Sequence, residues 1–155
     1  MDPRRRQDWA TYVDLEARLP WLTAEPYLLD VADLAATRAA LDELGFRTVT
    51  AKAPAAGDLE RSLLVELTER LGFTALGAGS WAAFSDRLWD LVTESWDPPI
   101  AVVIEGFSRL MEVDLRTFVR CVHNLVSLTE CVGLADDRAQ RQFVYFFVGE
   151  GSAWG

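Results

Sequence analysis

The sequence predicts an α/β fold: a small parallel sheet of three to four strands with helices packed on it. Three observations carry this expectation. Short apolar runs alternate along the chain with amphipathic stretches of helical period. Two of the runs, Ile100–Ile104 and Phe143–Val148, are apolar throughout, as strands buried on both faces must be. The strands are separated by helices, which implies parallel pairing through right-handed crossovers.

Residues 1–25 read as an N-terminal appendage, part helical. Asp8–Leu19 is a helix candidate, and Leu19-Pro20-Trp21 a link. Residues 26–155 read as a single domain. Tyr27–Val31, after Pro26, is a short strand. Ala32–Leu44 follows as a helix, with Leu34, Arg38, Leu41 and Leu44 near helical spacing, and Gly45 closes it. Arg47–Ala51 is rich in β-formers, and Pro54-Ala55-Ala56-Gly57 is a loop. Asp58 caps a helix over Leu59–Leu71, whose Leu59, Leu63, Leu67 and Leu71 share one face. After the loop Gly72–Gly79, Ser80 caps a further helix that reaches about residue 93. Pro98-Pro99 breaks the chain before the strand Ile100–Ile104. A helix over Val113–Glu130 turns Leu115, Phe118, Val119, Val122, Leu125 and Val126 inward, and Phe143–Val148 is the last strand.

A chain of 155 residues, half apolar and a quarter charged, is long enough to bury a core without disulfides or metals. Its 24 acidic residues outnumber its 15 basic ones, leaving a net charge of −9. Such a chain repels nucleic acid and anionic membrane and attracts basic proteins. No segment approaches 18 consecutive apolar residues, and the basic start, Met1–Arg6, is followed by no apolar run of signal-peptide type. Cys121 and Cys131 fall ten apart near one predicted helix, about 15 Å at helical rise and beyond disulfide reach. A reduced, cytoplasmic protein is expected.

Three patterns that resemble chemistry have plainer readings. Gly77-Ala78-Gly79-Ser80-Trp81-Ala82 has the G-x-G-x-x-A form, but a helix and a loop precede it where a dinucleotide site needs a strand. Cys121 and His123 lie two apart on a helix, so they point away from each other and make a poor chelate. No triad, metal set or phosphate loop is assembled. The sequence therefore predicts no enzyme, no cofactor and no metal.

Asp86 and Asp90 sit one helical turn apart in the Ser80–Val92 helix and share a face. Like charges at that spacing cost a few tenths of a kcal/mol in an isolated helix, about 0.2–0.5, which suggests a use. Trp81, Trp89 and Trp96 lie in or just after the same helix, and tryptophan there is more often packed inward than displayed.

The order of elements from about residue 46 to 149 resembles the barstar family. That family runs strand, helix of Asp-Leu type, aromatic-Gly loop, helix of Asn-Leu/Trp-Asp-Ala-Leu-x-Asp type, Pro-led strand, helix and final strand. Here Phe46–Ala51, Asp58-Leu59, Phe73–Gly79, Ser80–Val92, Pro99–Ile104, the helix over 113–130 and Phe143–Val148 stand in those places. Pro26–Gly45 looks like an extension found in actinobacterial relatives. Two registers fit the acidic helix. In the first, Ser80–Asp86 lies on the family stretch, Asp86 takes the place of the central inhibitory aspartate, and Ala82 replaces the earlier one. In the second, Leu88-Trp89-Asp90 lies on a Leu-Trp-Asp of the family. The first is preferred, because the loop-to-helix junction fits without a gap.

The resemblance implies a protein inhibitor of a small basic ribonuclease or related toxin, a monomer when free. Its acidic helix and preceding loop would block the partner's cleft, using Leu76, Gly77, Gly79, Ser80, Ala82, Asp86, Trp89 and Asp90. The family's loop carries two aromatics and a glycine where Leu76, Gly77 and Ala78 stand here. That departure motivates an alternative: a barstar-fold immunity or interaction protein for a non-nuclease partner.

Overall fold

The computed structural model describes residues 13–74, 78–93, 98–135 and 142–150, apart from the side chains of 92–93 and 129–135. Helix α1 (Leu15–Arg18) precedes strand β1 (Tyr27–Asp30), a 3₁₀ turn (Val31–Asp33) and helix α2 (Leu34–Glu43). Strand β2 (Arg47–Lys52) leads to helices α3 (Leu59–Arg70) and α4 (Trp81–Thr93). Strand β3 (Ile100–Glu105), helices α5 (Phe107–Val113) and α6 (Leu115–Ala135) and strand β4 (Phe143–Gly149) complete the order. The four strands form one sheet, in the order β1-β4-β3-β2, and every pairing is parallel. The fold class expected from sequence is the one observed.

The topology dictates where the helices go. From β1 the chain crosses the whole width of the sheet to β2, then returns through β3 to β4. Right-handed crossovers that run in opposite directions put their helices on opposite faces. Accordingly α2 covers one face, and α1, which precedes β1, packs beside it, so that Leu15, Leu19, Leu41 and Phe46 meet Ala101, Val103, Val144, Phe146 and Val148. Helices α3 to α6 cover the other, on Val49, Ala51, Ile100, Val102, Ile104, Phe143, Tyr145 and Phe147. The result is three layers, with β3 and β4 buried on both sides.

Local signals end the helices. Gly45 takes a left-handed φ of 84° after α2. Its N–H donates to the Asp42 carbonyl at 3.1 Å, and the Phe46 N–H to the Leu41 carbonyl at 2.9 Å. This is the Schellman pair, and it aims Phe46 into the core. The same pair recurs after α3 through Gly72 and Phe73. It turns Phe73 edge-on to Phe84 of α4, with ring centroids 5.5 Å apart. At the other end of α3, Asp58 accepts from the Arg61 N–H, as its sequence position predicts.

Two expectations need correction. The helix expected over Val113–Glu130 is α6, which starts at Leu115 after Asp114, whose side chain caps it by accepting from the Thr117 N–H; the short helix α5 before it was not expected. The inward face of α6 is Phe118, Cys121, Val122 and Leu125. Leu115 and Val119, expected inward, are 60% and 55% exposed, because they lie on the side of α6 away from the sheet.

Residues 13–25, assigned by sequence to an appendage, belong to the domain. Leu15 and Leu19 are buried in the second core. The Gln142 side chain brackets Val13, accepting from its N–H at 2.9 Å and donating to its carbonyl at 3.0 Å. Trp21 donates its indole N–H to Thr37 on α2. Of the helix candidate Asp8–Leu19, the part before residue 13 lies outside the described residues. Leu19→Ala is expected to lower the free energy of unfolding by about 2–5 kcal/mol. Urea denaturation followed by circular dichroism measures it, and an unshifted midpoint would mean that the segment adds nothing to the fold.

Candidate functional site

Helix α4 begins where Ser80 stops the loop. The Ser80 Oγ accepts from the Ala83 N–H at 3.1 Å, satisfying one of the open donors of the first turn. Phe84 and Leu88, one turn apart, are fully buried and fix the inner face. Trp81 meets Phe84 edge-on, its centroid 6.2 Å away. The opposite face carries Ala82, Asp86 and Asp90, again one turn apart, and all three are exposed. Asp86 makes no hydrogen bond or ion pair among the described residues. Asp90 lies 3.4 Å from Arg87 in a solvent-facing pair, an arrangement that contributes about 0–1 kcal/mol. Trp89 is half-buried and packs against the core.

The sequence-predicted site residues thus divide. Gly79 and Ser80 are exposed at the head of α4, and Ala82, Asp86 and Asp90 form its outer stripe. Trp89 stands mostly in packing. Leu76 and Gly77 lie outside the described residues, as does Trp96.

The head of α4 opens onto a cavity of about 610 Å³ that sequence reasoning missed. The first turns of three helices meet there, capped by Asp58, Ser80 and Asp114. Glu60 of α3 joins them. Its Oε1 accepts the Trp81 indole N–H at 2.7 Å. Arg120 of α6 lies against its Oε2 as an ion pair that lacks a well-directed hydrogen bond. One carboxylate therefore links α3, α4 and α6. Its partners lie 21 and 60 positions along the chain, and no local pattern signals such a link. The Asp-Leu-Arg-Thr cap at 114–117 was a signal that could have been read.

Asp114 accepts from both the backbone N–H and the hydroxyl of Thr117, the latter at 2.8 Å. These bonds hold its carboxyl below the usual aspartate range. Burial, with Glu60 as a second cause, pushes the Cys121 thiol up to about 12, so it is a poor nucleophile at neutral pH. His123 is exposed while Cys121 is buried, so the two face different surroundings. Among the described residues no group of three or more His, Cys, Asp or Glu could hold a metal ion. The loop before α4 follows a helix rather than a strand, which is not the setting of a dinucleotide site. Among the described residues no helix is long and apolar enough to cross a membrane.

What the arrangement offers is a row of exposed carboxylates on a helix whose inner face is fixed. Exposed carboxylates on a fixed frame accept charge-assisted hydrogen bonds from Arg or Lys of a partner. Comparison with protein-family models, with curated proteins and with solved structures gives no match.

Two outcomes test this description. Trp81→Phe removes the donor to Glu60 while keeping most of the packing, and is expected to cost about 1–3 kcal/mol in urea unfolding. Asp114→Ala should narrow its stability gap from wild type as the pH falls. The folded carboxyl titrates below the ordinary value of about 3.9. Its contribution is therefore complete above that pH and lost on passing below it. Urea midpoints at pH 7, 5 and below 4 (approximate settings bracketing that value) read the profile, and a gap that widens in acid would contradict it.

Proposed function

We propose that this chain is a barstar-like inhibitor of a small basic ribonuclease, acting through the outer face of α4 and the loop before it. The observation that carries the reading is Asp86: an exposed carboxylate without an ion pair among the described residues, on a helix locked from behind by Phe84 and Leu88. Asp90, one turn on, extends the same stripe. The net charge of −9 supports it by steering a basic partner toward encounter.

In this reading the two carboxylates occupy the positions of substrate phosphates in the nuclease cleft. Arg and Lys side chains that would grip the RNA backbone grip Asp86 and Asp90 instead. Gly79 and Ser80 bring the head of α4 close to the rim, since neither projects a bulky side chain. Inhibition is occlusion, and no bond is made or broken. Because α4 is already ordered by its core contacts, little backbone freedom is lost on docking.

Asp86→Ala is expected to weaken binding to a small basic microbial ribonuclease by about 2 kcal/mol or more, roughly thirtyfold. Asp90→Ala should cost less, because Asp90 must first give up Arg87. Isothermal titration and the residual cleavage of RNA read both. If neither substitution changed binding, the acidic helix would not be the site. Capture of a non-nuclease toxin, with ribonuclease activity untouched, would favour the alternative of an immunity protein for another partner.

A further inference from the structure

Helix α6 carries an apolar ridge where a monomer has no use for one. Leu115, Val119 and His123 fall at successive turns of its outer side, and Val113 continues the line at the end of α5. Val113, Leu115 and Val119 are three of the seven large apolar side chains exposed among the described residues, and all lie within one seven-residue stretch. Arg116 and Arg120 run along one side of the ridge, and with Leu115, Val119 and His123 they line a shallow apolar groove. An apolar ridge beside a row of cations suits a partner that is acidic with small or apolar side chains. It does not suit a basic ribonuclease.

The neighbouring helix offers that chemistry. Ala82, Asp86 and Asp90 form the outer stripe of α4. Phe84 and Leu88 of α4 enter the same core, against the same sheet face, as Phe118, Cys121 and Leu125 of α6. The two outer stripes therefore point away from the sheet on the same side. An acidic stripe beside a basic and apolar one is self-complementary under a two-fold axis, and each contact is then made twice.

We propose that two copies of the chain associate through this face. Arg116 of one copy meets Asp86 of the other beside the Leu115–Val119 ridge, and the reverse contact completes the pair, while Arg120 keeps its ion pair with Glu60. The family resemblance implies a monomer when free, and this self-association departs from that expectation. If α4 also blocks a ribonuclease, dimer and inhibitory complex exclude each other. That consequence rests on the proposed function; the dimer does not.

Sedimentation velocity over a range of protein concentrations tests it. Wild type should pass from monomer to dimer as concentration rises. Leu115→Ser, Arg116→Glu and Asp86→Arg should each weaken self-association at least about tenfold, the equivalent of roughly 1.4 kcal/mol. Circular dichroism should be unchanged, because all three positions are exposed. The decisive sample mixes Arg116→Glu with Asp86→Arg. In each variant's own dimer positions 86 and 116 carry like charge, whereas in the mixture they carry opposite charge at both symmetry-related contacts, so a heterodimer should form. Wild type that stays monomeric throughout, variants that dimerise like wild type, or a mixture that fails to associate would each overturn the proposal. Ribonuclease binding by Arg116→Glu reads the inhibitory function separately, since Asp86 is intact in that variant.

Discussion

The pairing of β3 with β4 is the constraint from which the remaining structure follows. Every residue of β4, and every residue of β3 but its last, is buried. A parallel sheet of this kind needs cover on both faces. The chain supplies it by reversing direction across the sheet, which sends α2 to one side and α3 to α6 to the other, and α1 joins α2. An α/β domain with only the later helices would leave Ala101, Val103, Val144, Phe146 and Val148 facing water. The segment before β1 is therefore part of the core.

The same arrangement determines what α4 can present. Its inner residues are committed to the helical layer, with Phe73, Trp81 and Phe84 packed edge to edge. The Glu60 link ties its first turn to α3 and α6. With the inner face and the first turn both fixed, the outer stripe cannot rotate without dismantling three helices. A surface of carboxylates held this way differs from the same residues on a loop, because their spacing is set before any partner arrives. The apolar ridge on α6 is fixed by the same packing, so the two stripes keep a constant relation.

Much of this was legible in the sequence, for physical reasons that can be named. Strands buried on both faces leave unbroken apolar runs, so Ile100–Ile104 and Phe143–Val148 were plain. Asp58, Ser80 and Gly45 act through their immediate neighbours, so the helix ends they fix could be read locally. That Asp86 and Asp90 share a face followed from their spacing of one helical turn. Other features were not readable because they arise from contacts distant in sequence. In α6, apolar residues occur all around the helix, and periodicity does not say which side meets the sheet; Leu115 and Val119 went to the wrong one. The short helix α5 was missed because its seven residues are too few to show a helical period. Residues 13–25 looked detached because Pro20 and Pro26 punctuate them, whereas their attachment depends on Gln142 and Thr37.

The bracket between Val13 and Gln142 also bears on how the protein is made. A ribosome delivers β1 before β4, yet among the described residues β4 is the only strand that β1 pairs with. Strands β2 and β3 are neighbours and can join as soon as β3 emerges. During synthesis β1 must wait, its ladder of N–H and C=O groups unmet, until Phe143–Gly149 slides in between it and β3. Long-range pairings of this kind are closed late, because the loop entropy comes before the reward. The nascent chain is thus sealed by β4, and the order of synthesis is not the order in which the sheet assembles.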